Sequence, residues 1–224
     1  MAYFKFLIYT LIFTLSVVSN AQKNQYHEDG TRHGIWEKKF EGTEQIRYTG
    51  QFNHGIEIGD FKFYSKGFTR QPTAIKTFSD NGKKAEVSFY SQRGRLISKG
   101  LEIDRKREGK WEYYHNNTDK LMMVEFYENG LLEGERISYY DNGVISEKIN
   151  FLNGKKHGKQ LVYSVKKVLI KEFTYENDEL NGVNKFFTGR GVLTIEGMYK
   201  NNKKNGPWKY YDNTGNFTKE KHYR

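Results

Sequence analysis

The sequence predicts an all-β protein, an elongated, twisted, single-layer antiparallel meander built from tandem β-hairpins. Three observations carry that expectation. Aromatic residues make up 16% of the 224, with 17 Tyr and 16 Phe, and both types favour strands. Gly is abundant at 22 and Pro scarce at 2, a mix unlike the aromatic-poor, proline-rich composition of disordered chains. Finally, one pattern returns about every 24 residues along nearly the whole chain.

The first element is a leader. "MAYFKFLIYTLIFTLSVVSNAQ" has one positive charge, Lys5, and then an uncharged run from Phe6 to Val18. These 13 residues fall short of the roughly 18–20 needed to span a bilayer. Ser19-Asn20-Ala21 supplies small residues ahead of a cut before Gln22. The segment 1–21 reads as a cleaved secretory signal, with a short uncleaved anchor as the competing reading. The mature chain, 22–224, is then exported, to the periplasm or out of the cell. Cysteine is absent, which excludes disulfides, thiol catalysis, cysteine zinc sites and a lipidated N-terminal Cys.

The repeat accounts for the remainder. A glycine expected to close one turn and open the next aromatic strand falls at Gly34, Gly59, Gly109, Gly134, Gly158, Gly182 and Gly206, with Ala85 in the missing place. An aromatic or aliphatic residue precedes the return turn at Phe52, Phe78, Ile103, Tyr127, Phe151, Tyr175 and Tyr199. The first strand of each unit, "GDFKFY", "GKWEYY" or "GPWKYY", ends at Tyr64, Tyr90, Tyr114, Tyr140, Tyr163, Phe187 and Tyr211. Seven to eight hairpins follow, joined by turns such as Asp141-Asn142-Gly143, Asn129-Gly130 and Asn153-Gly154, whose residues tolerate positive φ. Alternation puts Trp111 and Tyr113 on one face and Glu112 and Tyr114 on the other. Trp36, Phe61, Val87, Trp111 and Trp208 form one cross-strand row; Arg136, Gln160 and Asn184 stand at its matching positions, where hydrophobic contacts must shift or be lost.

The strand "GxWxYY", the second strand and then "NGKKxG" resemble the variant MORN repeat of bacteria. "NGKKHGKQLVY" and "NNKKNGPWKYYDNTGNFTKEKHYR" carry the likeness best, over roughly residues 26–224. Proteins of this kind are labelled toxin–antitoxin system antitoxins of the YwqK type. The resemblance implies tandem hairpins, a role in binding proteins or membranes, and no enzyme chemistry or cofactor. Departures are Ala85, the irregular "SKGFTRQPTAI" at 65–75 and a basic insert, "IDRKREG", at 103–109.

The residues themselves show no catalytic machinery. His33, His54 and His157 each precede a glycine and read as polar turn residues. The spacing of the six histidines supports no zinc site, and Glu176, Asp178 and Glu179 read as a solvated acidic turn. Two surface features remain. Lys83-Lys84, Arg105-Lys106-Arg107, Lys155-Lys156 and Lys203-Lys204 keep the repeat's register and predict a basic ridge along one edge, in a chain of formal net charge +10. The tyrosines Tyr64, Tyr90, Tyr114, Tyr140, Tyr163 and Tyr211 predict an aromatic strip on the face opposite Trp111, for contact or for mutual stacking. The partner so implied is another protein, or alternatively an anionic lipid or glycan; export argues against nucleic acid.

Overall fold

The structure, a computed structural model, describes residues 22–224 except 69 and 117; the expected leader lies outside the described residues. Nineteen strands form one open antiparallel sheet with each strand beside its neighbour in sequence. A short β1 (Gln25–Tyr26) covers the end of β2 (Arg32–Lys39). Then come β3 (Ile46–Asn53), β4 (Ile56–Phe63), β5 (Ala74–Ser79), β6 (Lys84–Tyr90), β7 (Leu96–Ile103), β8 (Lys106–Tyr114) and β9 (Leu121–Glu128). The next strand is interrupted into β10 (Leu131–Leu132) and β11 (Gly134–Tyr139), both against β9. After β12 (Ile145–Leu152), β13 (Lys155–Tyr163) and β14 (Leu169–Glu176), the interruption recurs as β15 (Glu179–Leu180) and β16 (Gly182–Phe187). The sheet ends with β17 (Leu193–Lys200), β18 (Lys203–Tyr211) and β19 (Phe217–Tyr223).

Gly134 and Gly182 open β11 and β16 as expected, but Gly34, Gly59, Gly109, Gly158 and Gly206 lie inside the aromatic strands. These five have positive φ, with Gly109 at 62° in the middle of β8. The ladder shows the extra residues: Leu101 pairs with Glu108 but Lys99 with Glu112. Those five strands therefore begin two or three residues earlier than the sequence pattern suggests. "IDRKREG" is no insert either. Ile103 and Lys106 flank a two-residue turn, as Leu152 and Lys155 do.

One face carries the core. Trp36, Phe61, Val87, Trp111 and Trp208 are all buried in the predicted row, where the second strands contribute small residues. Gly100 shows why. Trp111 lies flat across it, and a Cβ there would sit 2.3 Å from the indole. The indole N–H then donates to the Leu101 carbonyl at 3.1 Å, as Trp208 over Gly197 donates to Met198. From Trp36 to Trp111 the row is one apolar cluster, with Tyr48, Phe63, Phe89, Tyr113 and Tyr127 packed against it.

At the matching polar positions the row becomes an ion and hydrogen-bond network. Arg136 lies 3.3 Å from Glu147 and 3.9 Å from the buried Glu125, with its guanidinium over Phe151. Gln160 donates to Glu147, and the Tyr127 hydroxyl to Glu125. Asn184, fully buried, accepts from the Thr174 amide at 2.8 Å. The lost apolar contacts are thus replaced by polar ones, most of them paired, although Arg136 Nε and Gln160 Oε1 are buried without a hydrogen-bond partner.

Candidate binding edge and histidine cluster

The return turns stack along one edge because each hooks onto the hairpin before it. The amides of Gly55, Gly130 and Gly154 donate to the carbonyls of Arg32, Arg107 and Leu132 at 2.8–2.9 Å. Side chains reinforce the stack: Glu108 accepts from the Asn129 amide, Glu133 from that of Asn153 and Asp178 from that of Lys156. Asp178 and Glu176, the latter receiving a hydrogen bond from Asn181, are thereby structural members of their turn.

This edge carries the predicted basic residues, but they divide into two kinds. Lys83, Lys84, Lys106, Lys155 and Lys203 are exposed, as is Arg105, although its guanidinium also lies 5.0 Å from the Phe78 ring centre. Arg107, Lys156 and Lys204 instead fold over rings: Arg107 lies 4.3 Å from the Trp111 ring centre, Lys156 5.1 Å from Tyr175 and Lys204 4.1 Å from Trp208. Such cation–π contacts close the open end of the core, and Arg107 also donates to the Tyr113 and Tyr127 hydroxyls. Arg105 reaches across to Glu57 at 2.7 Å. The edge is not uniformly basic. Ile56, Ile103, Leu131 and Leu152 are 40–51% exposed beside these turns, and Glu128, Glu176 and Glu179 are exposed among them.

The predicted tyrosine strip is half-buried throughout, at the opposite strand ends. Two of its hydroxyls bond to carboxylates within the sheet: Tyr114 donates to Glu112 and Tyr211 to Glu196. Partial burial, then the hydrogen bond to Glu112, raises the Tyr114 pKa. The strip slips by one residue in one hairpin. Tyr139 ends β11 and pairs with Ile145, while Tyr140 stands one step into the turn, its hydroxyl donating to the Tyr163 carbonyl. Across the outer face Lys99, Lys110 and Tyr114 surround Glu112, and the Lys110 ammonium, foremost among them, holds this carboxyl at about 2 against the opposing effect of burial.

A second cluster lies at the first end of the sheet, and the sequence pattern did not reveal it. Of the three His-Gly pairs, only His54-Gly55 is a turn; His33 and His157 lie in β2 and β13. The His54 turn folds back onto the 27–31 loop, closed by the Gly30 amide donating to the His27 carbonyl. This brings His27, Asp29 and His54 together, one ligand-type atom from each lying within 4.8 Å of the others. The His33 ring is 5.8 Å from that of His27 and 5.5 Å from that of His54. The Thr31 hydroxyl and amide donate to Asp29 at 2.6 and 2.8 Å, holding its carboxyl at about 2. Histidine spacing, which supports no zinc site in the sequence, does not show this carboxylate–histidine cluster, because the donors come from separate segments that only strand pairing juxtaposes.

Comparison with protein-family models and with curated proteins finds no match for this chain.

Proposed function

We propose that the protein is an exported, non-enzymatic scaffold that binds a partner protein along its turn edge, in an antitoxin- or immunity-like role. One observation carries this reading, the mixed character of the edge. Exposed Ile56, Ile103, Leu131 and Leu152 alternate with free lysines and with Glu128, Glu176 and Glu179. A lipid headgroup layer or an acidic glycan rewards positive charge alone and is repelled by those glutamates. A protein surface can match apolar area and both signs of charge at defined spacing. The stacked turns hold that pattern rigid, which lowers the ordering cost of association. The resemblance to variant MORN repeats agrees with a binding role.

The test uses the chain from Gln22 as bait against its host's envelope extract, washed at low and moderate salt. Two variants accompany it, K84Q/K106Q/K155Q/K203Q and I103S/L131S/L152S. The expected result is one protein retained stoichiometrically through both washes and lost from both variants. Retention of lipid or glycan alone, removed by salt and by the lysine variant only, would replace this reading with an envelope-tethering one.

A further inference from the structure

The histidine cluster has the donor chemistry and the spacing of a metal site. Imidazole and carboxylate together suit zinc and its neighbours in the transition series. His27 Nδ1 lies 3.6 Å from Asp29 Oδ1, and His54 Nδ1 lies 3.6 Å from Asp29 Oδ2. Those separations are too long for hydrogen bonds. The one to Oδ2, the oxygen Thr31 leaves free, is close to the roughly 3.3–3.5 Å between neighbouring ligands of a tetrahedral ion held at about 2.0–2.1 Å.

Two further observations point the same way. The Nδ1 atom of His27 is buried without a hydrogen-bond partner; that of His33 is too, but so is that of His157, its counterpart in the repeat, so the weight falls on His27. A buried nitrogen left like this costs free energy, and a cation taking its lone pair removes the cost. Second, His54 breaks the repeat's own rule. It sits in the left-handed region, φ 46°, at a return-turn position where the other hairpins carry Asp80, Asp104, Asn129, Asn153, Asn177 and Asn201. The exception to the Asp/Asn rule falls at the turn that faces His27 and Asp29.

We propose that His27, Asp29 and His54 bind one divalent transition-metal ion of the zinc class, with His33 flanking the remaining coordination position. Thr31 fixes the carboxylate through Oδ1 and leaves Oδ2 directed to the His54 side. The ion ties the loop after β1 to the β3–β4 turn, and so clamps the first edge of the sheet. This inference is independent of what the turn edge binds.

The experiment is calorimetric titration of the metal-stripped protein with Zn2+, using Mg2+ as the control. Saturable binding of one Zn2+ per chain is expected, with a rise in Tm and no response to Mg2+. His54→Asn restores the residue type of the other turns, so it keeps the fold; it and His27→Asn should each weaken binding by roughly 10–100-fold or more. His157→Asn, outside the cluster, should leave it unchanged. Lack of saturable Zn2+ binding, or equal affinity in the His54→Asn variant, overturns the proposal.

Discussion

Glycines at two kinds of position in this repeat are needed for different reasons. Gly100 is required by space, because Trp111 occupies the volume of any Cβ. Gly109 is required by backbone, since a Cβ there meets nothing within 4 Å but φ is 62°. Gly100→Ala should therefore destabilise by about 1–3 kcal/mol through overpacking, and Gly100→Asn by more. Gly109→Ala should cost about 1–2 kcal/mol, partly recovered in Gly109→Asn because Asn tolerates the left-handed region. Thermal melts of the four variants check this: the Asn variant should be the worse at position 100 and the better at 109. Glu112 gives a pH signature. Its folded pKa, about 2, lies below the ordinary 4.5, so its contribution is full above about 4.5 and is lost as pH falls toward about 2. The gap in Tm between the natural protein and Glu112→Gln should close over that window; a gap constant from pH 6 to pH 2 would contradict the assignment. Residue roles of this kind were only partly legible in the sequence. The Trp row follows from counting. The choice between Tyr139 and Tyr140 does not, because adjacent tyrosines satisfy the same count and only the bulge before Tyr139 decides the register.

At the scale of the element, the hairpins could be read from the 24-residue period, but their strand starts could not. A glycine flanked by lysines has the composition of a turn, and here it lies within the strand. The stretch from β9 to β13 was legible as an interruption of the apolar row, though its remedy depends on cross-strand partners far apart in sequence. That remedy predicts strong coupling. Arg136→Met removes the cation beside the buried Glu125, leaving the Tyr127 hydroxyl against that carboxylate, and should destabilise by about 3 kcal/mol. Adding Glu125→Leu should restore much of the loss, because the unpaired charge is gone. Chemical denaturation of the singles and the double measures the coupling, and simple additivity would show that the network is not one unit. The histidine cluster escaped sequence reading for a similar reason: Asp29 and His54 sit 25 positions apart, and their approach is set by one turn amide, Gly55, docking on Arg32.

The whole molecule is a ribbon of neighbours. β1 pairs with β2 at one end and β19 with β18 at the other, and the chain advances across the sheet one strand at a time. Stability in such an array is a sum of local interfaces, with no central core to which every strand contributes. Nearest-neighbour order also gives the protein a mechanical character. With residues 22 and 224 at opposite ends of the strand order, a pull between them runs across the strands and loads the outermost ladder first, opening its hydrogen bonds in succession. Single-molecule stretching should record a staircase of small, low-force releases, each of about 80 Å for a 24-residue hairpin. One abrupt rupture of the entire chain would contradict it. A bound zinc ion would stiffen only the first step, so an object fastened to the far end would hang from a tether that lengthens by degrees under load and does not snap.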